Sequence, residues 1–561
     1  MRLRWMVQSK RIPSDVDEVV DIVLSNRGVS RSDFLNISIE KLQQYMNIKN
    51  FDDGVRLILS HLVRGSKITI VGDYDCDGIT SAAQWTFFLR DIGYSNFDVI
   101  IPTRDEGYGI PERAVERSES GGLVIAVDCG THDREVIDRL RSAGCDVLVI
   151  DHHEVKDSDK VASATVLINP KQQGCPSRFK ELCSSGLTLL FLVKLRQALP
   201  SFFPRPVLDG RFQSLAAIGT IADVMPLVEA NRIIVASGLS MMGRNRFAPA
   251  TVLRKAAGVE NKPLSSGMVG FYLAPRLNAA GRVGDPMMAY KLLTATRISE
   301  MEDIARTLNQ LNARRQAEEE RVIRCIASYL TSQPFTGRTL VVAGKGWHPG
   351  VLGIVASRVI QRYHYGPVIV GSVGDNGVIK ASARSVPGFD VCDALSHCDD
   401  LLIKWGGHES AAGLSLEVGN LREFQERFED YAARLPDDVF QPKLCIDATL
   451  PSKLVSNDLV EALNRLEPYG PGNPRPLFLT KAQRITNVKA FGNKHEHLNI
   501  EFNSSISAVF WRGCKAVSYI KPSLLYNVVY HLEEDSYRGS IRMVIQDIRP
   551  FSDGGIGIGL R

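Results

Sequence analysis

From residue 67 to about 230 the chain repeats one pattern: a short apolar run, a polar turn, then a longer stretch with helical periodicity. The apolar runs are KITIVGDYD, FDVIIPT, LVIAVDCG and DVLVIDHHE. Such runs suit short buried strands, and their alternation with helical segments predicts a mainly parallel sheet in an α/β layer fold. The stretch 297–332 lacks proline and glycine and puts Ile304, Leu308 and Leu311 on one stripe, while its run from Arg314 to Arg321 is almost wholly polar or charged. It predicts a connecting helix whose charged run is a solvated face. A second strand, glycine loop and helix follow in TLVVAGKGWHPGVLGIVASRVI and open another α/β unit, from about 338 to 432. Beyond 440 the pattern shortens to ITNVKAFG, HLNIEF, SISAVFW, YNVVYHL and IRMVIQDI, short strands with turns that predict a small β-barrel. Residues 1 to about 50 read as helical and polar. The resulting division is 1–50, 51–295, 296–333, 334–435 and 436–561.

A length of 561 residues fits roughly three to four domains. Apolar residues at 44% and charged residues at 23% are ordinary for a globular protein. The N-terminus has no apolar core of the signal-peptide kind, and no run approaches the roughly 20 apolar residues of a membrane span. A cytoplasmic protein with no membrane contact is expected. Its 10 cysteines form no CxxC pair, which favours reduced thiols over a disulfide frame or a zinc site. The net charge of +4 is unevenly spread: residues 471–561 hold 12 Lys and Arg against 7 Asp and Glu, leaving 55 against 56 in the rest. A basic C-terminal end suits contact with a polyanion.

Chemistry concentrates at the ends of the strand-like runs. Asp73, Asp75 and Asp77 follow the first run on alternate positions, between Gly72 and Gly78. In an extended chain these carboxylates would share one side, where they repel unless a cation lies between them. A divalent ion with hard oxygen ligands is the simplest neutraliser; an ordinary acidic loop is the alternative. Asp128 follows LVIAV, and Asp151 with His152 and His153 follows VLVI. Ligands of open α/β sheets gather beyond the carboxyl ends of the strands, so these groups can converge. Asp223 interrupts the apolar helix LAAIGTIADVMPL and is a further candidate ligand, since a carboxylate on a buried face needs a partner. Arg276, Asn278 and Arg282 lie on what reads as a helix-breaking stretch, FYLAPRLNAAGRVGD, as phosphate ligands or as structural partners of the acids. Ser382, Arg384 and Ser385 in KASARSVPGFD, with His408 in KWGGHESAAG, describe a phosphate-holding second lobe. In the tail, basic residues mix with Phe491, Phe510, Trp511 and Tyr530, rings that stack on bases or simply fill a core.

Taken in order, GDYDCDG, VDCG, DHH, Asp223, APRLNAAGR, WHPGVLGIVASR and GGHESAAG resemble the DHH phosphoesterase superfamily, and within it the RecJ family of single-strand-specific DNA exonucleases, over about residues 50–550. The resemblance implies a DHH catalytic domain and a DHH-associated domain joined by a long helix, then an oligonucleotide-binding (OB) barrel entered through EPYGPGNPRPLF. It implies two Mg²⁺ or Mn²⁺ ions, with Asp75 and Asp77 each reaching one, Asp128 bridging both, and His152 and Asp223 completing the set. Asp73 and Asp151 would support these ligands and His153 would face the scissile phosphate. Arg104, Ser382, Arg384 and His408 would hold the 5′ end or the strand's phosphates. At Val71 the chain departs from many relatives, which carry a histidine ligand there; hard oxygen donors then favour Mg²⁺. The implied activity is 5′ to 3′ hydrolysis of single-stranded DNA in repair and recombination, by a monomer working with a RecQ-type helicase and a single-strand-binding protein. Two rivals remain at this stage. A DHH phosphatase or nanoRNase for short nucleotides is disfavoured by the basic barrel, and a non-catalytic DNA-binding DHH protein by the intact acids.

Overall fold

The computed structural model describes residues 3–155, 161–204, 209–332, 335–503, 506–516, 520–521, 524–535 and 540–551. The expected boundary at 333 falls outside them. The chain forms two compact units: Ile37–Phe440, and a second built from both ends, Met1–Asn36 with Gln441–Arg561.

The chain opens on strand β1 (Arg4–Val7), followed by a helix at Val16–Asn26. The large unit then begins, and its first lobe holds β2 (Ile68–Gly72), β3 (Phe97–Ile100), β4 (Leu123–Val127), β5 (Asp146–Ile150) and β6 (Val166–Ile168). They form a wholly parallel sheet in the order β3-β2-β4-β5-β6. The continuous apolar runs follow from burial on both faces: Ile70, Ile125 and Leu148 join one core while Val71, Val124 and Val149 join the other. The acid-bearing ends of β2, β4 and β5 therefore emerge side by side.

The helix Ile298–Ser332 links this lobe to a mixed sheet ordered β10-β11-β9-β8-β7. Its strands are β7 (Leu340–Lys345), β8 (Val368–Val373), β9 (Val378–Arg384), β10 (Leu402–His408) and β11 (Ala411–Glu417). Helix Leu352–Arg362 and the end of the long helix cover β7 and β8 through Val322, Ile323, Val355, Val359, Val368 and Val370. The charged run of the long helix is not wholly solvated: Arg315 and Glu319 are buried, and Asn312 accepts from Arg315. Helical periodicity placed both on one stripe, and the second lobe lies against it.

The second unit contains β12 (Lys443–Ile446), β13 (Ala448–Thr449), β14 (Phe478–Phe491), β15 (His497–Phe502), β16 (Ser507–Phe510), β17 (Leu525–Asp535) and β18 (Ser540–Pro550). Pairing runs β14-β15-β16-β18-β17, and β17 pairs back on β14, so five strands close a barrel. The N-terminal segment belongs to this unit: β1 pairs with β12, Trp5 Nε1 donates to Asp547 at 2.7 Å, and Val19, Val20 and Val23 share the barrel's core. A strand was not expected at the N-terminus, because β1 is short and its partner lies more than 430 residues away. Of the tail's aromatics, Tyr530 is fully buried, whereas Trp511 is exposed and meets both Phe491 and His497 edge-on. Among the described residues no helix is long and apolar enough to cross a membrane.

Candidate active site

The acidic motif does not stay extended after β2. Asp75 instead caps the helix Cys76–Asp91, its Oδ1 accepting from the Asp77 and Gly78 amides at 2.8 and 3.2 Å, and Asp77 lies in the first helical turn. Alternation is lost as soon as a helix starts, so the three carboxylates fan out. Gly78 is required: a Cβ there would collide with the backbone of Asp73. Asp77 is buried beneath the site, where the amides of Ser184 and Ser185, at the start of helix Ser184–Ala198, donate to its two oxygens at 2.8 and 2.9 Å. Ser184 Oγ also donates to Asp128 at 3.1 Å. Neither serine stands out in the sequence, because their use depends on where that helix begins in space.

Asp128 leaves β4 with φ 64°, a left-handed conformation that aspartate tolerates better than most residues. Asp223 caps the C-terminal end of helix Gly210–Ala222 rather than interrupting it, and Val224 follows at φ 59°. His152 Nε2 lies 3.3 Å from Asp128, 3.5 Å from Asp223 and 3.9 Å from Asp77. Among the described residues three overlapping groups of possible ligands result, Asp73/Asp75/Asp128, Asp77/His152/Asp223 and Asp128/His152/His153, with Asp128 and His152 adjacent.

Protonation equilibria describe a site of crowded, buried acids. Burial and the charge of Asp75 push Asp77 up to about 6, and burial with neighbouring carboxylates pushes Asp73, Asp128 and Asp223 well above the usual range. Burial and then the charge of His153 push His152 down to about 3, leaving the neutral imidazole that a metal needs. Asp73 Oδ1, Asp223 Oδ2 and His152 Nδ1 are buried without hydrogen-bond partners among the described residues. Oxygen-rich, crowded and under-satisfied, the donor set fits divalent cations. Val71 supplies nothing to it, being fully buried in the apolar layer with Ile100 and Val149.

His153 behaves oppositely to its neighbour. Burial disfavours its charge, but Asp151, whose Oδ1 is 2.7 Å from Nδ1, leads a set of carboxylates that hold it up at about 9. Burial likewise opposes ionisation of Asp151, yet the His153 charge keeps it well below the usual range. The Tyr108 hydroxyl donates to the Asp128 carbonyl at 3.1 Å and lies 3.0 Å from His153 Nδ1. Tyr108 is a site residue that the sequence reading missed, although the EGYG turn after Arg104 is a local signal for it.

Acidic and basic walls face one another across a cavity of about 240 Å³ between the two lobes of the large unit. Arg104, Arg282, Arg384 and Ser382 line the basic side, with Pro349, Gly350 and Gly353. Arg104 stacks over Tyr74 at 4.6 Å and donates to the Gly281 carbonyl at 3.1 Å. Arg282 donates to Gly350 at 3.1 Å, and a Cβ on Gly353 would lie 2.7 Å from Arg384 Nη2. Burial lowers the proton affinity of Arg282 and Arg384, and the Arg104 charge lowers Arg282 further, the mirror image of the acids. His408 stacks on His153 at 6.3 Å. Ser385 is turned away, donating to the Phe389 carbonyl at 2.7 Å.

The stretch expected to break a helix is one, Ala274–Val283, because its proline lies in the first turn. Arg276 is consequently directed away from the cavity, donating to Asn309 of the long helix at 2.9 Å and to the Tyr272 carbonyl at 2.6 Å. Asn278 accepts from the buried Cys76 amide at 2.8 Å and so tethers the acidic turn from behind. Asn278→Ala strands that amide, at a cost of about 1–3 kcal/mol. The half-saturating divalent-ion concentration for activity is expected to rise roughly tenfold; an unchanged metal titration would show the tether to be idle.

Three family models match: the DHH family N-terminal domain over residues 67–220, the DHHA1 domain over 335–434 and the RecJ OB domain over 446–547. The chain is 30% identical to the single-stranded-DNA-specific exonuclease RecJ of Salmonella typhimurium, across 98% of this chain and 99% of that protein. It is 33% identical to the protein of the same name from Thermus thermophilus, across 85% of this chain and 69% of that one. The crystal structure of RecJ in complex with Mn²⁺ from Thermus thermophilus superposes with a TM-score of 0.82 at 28% identity, covering 98% of this chain and 80% of that one. The Mg²⁺ complex gives 0.75 at 27% identity, covering 98% and 78%.

Proposed function

Since the chain belongs to the RecJ family of single-stranded-DNA-specific exonucleases, we propose that it removes nucleotides from the 5′ end of single strands during DNA repair and recombination. It is a metal-dependent exonuclease of single-stranded DNA. The observation that carries the finer reading is the single cavity in which buried carboxylates and a neutral imidazole face a wall of crowded guanidinium groups.

In this reading Asp75, Asp77, Asp128, His152 and Asp223 hold two divalent cations, with Asp73 beside them. Bound there, such ions supply Lewis acidity to the phosphodiester and lower the pKa of nearby water. The chain's own groups do the rest. Asp151 fixes the His153 ring and its positive charge toward the cavity, where its N–H meets a phosphate oxygen. Ser382, Arg104, Arg282 and Arg384 hold the terminal phosphate through charge-assisted hydrogen bonds, with His408 beside His153. Arg276 and Asn278 act at one remove, through the long helix and the acidic turn. The division we propose is a DHH domain at 51–295, the connecting helix at 296–333, the DHH-associated domain at 334–435 and the OB domain at 436–561. A helical N-terminal segment at 1–50 completes it, of which residues 1–36 fold with the OB domain. We take the working form to be a monomer, and cysteines that form no disulfide among the described residues suit the reducing cytoplasm. A RecQ-type helicase that exposes strands and a single-strand-binding protein that keeps them open fit as partners of a single-strand nuclease.

Digestion of a duplex bearing one 5′ and one 3′ overhang, end-labelled on each, tests this in Mg²⁺ and in Mn²⁺. The 5′ overhang should be shortened and the 3′ overhang spared. The converse would overturn the polarity, and intact overhangs in both metals would overturn the activity.

A further inference from the structure

The sequence WHPGVLG in the second lobe supplies Pro349, Gly350 and Gly353 to the cavity wall, while its histidine has no part in the site described so far. The loop that carries it is pinned at several points. Trp347 lies against Gly344, where a Cβ would sit 2.5 Å from the indole, and Arg321 of the long helix donates to the Gly346 carbonyl at 2.6 Å while pairing with Glu318. His348 is therefore held at the junction of loop and long helix.

His348 Nδ1 accepts from the Gly350 amide at 3.1 Å, and the His348 carbonyl accepts from the Val351 amide at 3.1 Å. These amides belong to the two peptide groups flanking the Gly350 Cα, so one residue fixes both and, with them, the direction of the Gly350 carbonyl. That carbonyl in turn accepts from Arg282 Nη1 at 3.1 Å. Among the described residues it is the one hydrogen-bond partner of the Arg282 side chain. The two backbones also touch, since a Cβ on Gly350 would lie 2.3 Å from the Arg282 carbonyl oxygen.

An imidazole accepts at Nδ1 only when it is neutral, with its proton on Nε2. Burial lowers the pKa of His348 from its ordinary value; Arg314 of the long helix and Arg104 of the first lobe lower it further, against Glu318 and Asp105. The ring is thus kept in the form that the contact needs. The charges of Arg104, Arg315 and Arg384 crowd the Arg282 guanidinium, an arrangement that an anion in the cavity relieves. A guanidinium grips such an anion through a planar fork, so its orientation decides the strength of the grip. We propose that His348 is a positioning residue for recognition of the strand's 5′-terminal phosphate: by fixing both peptides of Gly350 it sets the carbonyl that anchors one Arg282 nitrogen, which turns the remaining donors of the fork to the phosphate. His348 itself does not line the cavity.

This rests on the reading of the cavity as the site of the 5′ phosphate, and the experiment separates the two. The full-length enzyme and its variants are compared on one single strand bearing either a 5′ phosphate or a 5′ hydroxyl, by kinetics in Mg²⁺ and by fluorescence anisotropy in chelator. His348→Ala should raise KM and Kd for the phosphorylated strand about tenfold, the worth of one hydrogen bond to a charged group, while kcat and the hydroxyl strand change less than about twofold. His348→Asn, whose side-chain carbonyl can accept the amide two residues on, should restore the preference for phosphate. In an Arg282→Lys background, which lacks the fork, His348→Ala should change that preference no further. Equal weakening on both strands would make His348 a loop support only and overturn the proposal. An unaltered preference, an asparagine variant as impaired as the alanine one, or an undiminished effect without the Arg282 guanidinium would overturn it too. Should His348→Ala not fold, His348→Gln, whose amide group reaches beyond the Gly350 amide, carries the same test with the same outcomes. An unmodified enzyme indifferent to the 5′ phosphate would instead remove the reading of the cavity, and this inference with it.

Discussion

An Asp128→Asn variant is expected to lose hydrolysis of a labelled single strand by roughly a thousandfold or more while still binding that strand. The size follows from position: Asp128 belongs to two of the possible ligand groups and lies 3.3 Å from His152, which joins the third, so its loss disturbs the whole set. Asparagine is the substitution of choice because the residue has φ 64°, which asparagine adopts with little strain. The variant also separates charge from architecture. Without metal, Asp128 is a buried carboxylate among other carboxylates, and that crowding destabilises the fold. In chelator, thermal unfolding of the variant should therefore begin no lower than that of the unmodified protein. Undiminished cleavage would show that Asp128 holds nothing the reaction needs.

The second large effect concerns stability. Glu319 is fully buried; it is hydrogen-bonded to Arg315 of its own helix, and Arg358 Nη2 of the second lobe lies 3.0 Å from its other oxygen as an ion pair without hydrogen-bond geometry. Asn312 takes up the remaining donors of Arg315. Replacing Glu319 by alanine leaves a buried guanidinium with no counter-charge, which costs about 3–5 kcal/mol, whereas removing the whole pair for apolar residues costs far less. Glu319→Ala should lower the denaturation midpoint of the large unit clearly, and Arg315→Met/Glu319→Leu should recover much of the loss. An unshifted midpoint for the single variant would mean that solvent reaches Arg315 and that the long helix does not depend on the pair.

Both predictions involve residues whose type was visible in the sequence but whose setting was not. Asp128 stood out because an acid directly after an apolar run is a local pattern, and strand ends of a parallel sheet converge by topology alone. Glu319 sat in a charged run that periodicity read as solvated. Its burial depends on the second lobe, which packs against one stripe of the helix. The same distinction separates Arg276 from Arg282. Both looked alike as phosphate ligands until the proline-initiated helix turned one toward the long helix and the other into the cavity.

Amphipathic period, strand-end acids and glycine-bounded turns are written within a few residues. From them came the α/β lobes, the connecting helix, the barrel and the metal-binding candidates. Only the tertiary structure decided that Asp75 caps a helix, that Ser184 and Ser185 bond Asp77, that Tyr108 reaches His153, and that β1 joins the C-terminal unit. Each of these depends on which distant segments share a surface. That is fixed by burial and hydrogen-bond satisfaction across the whole fold, and no local window of sequence carries it.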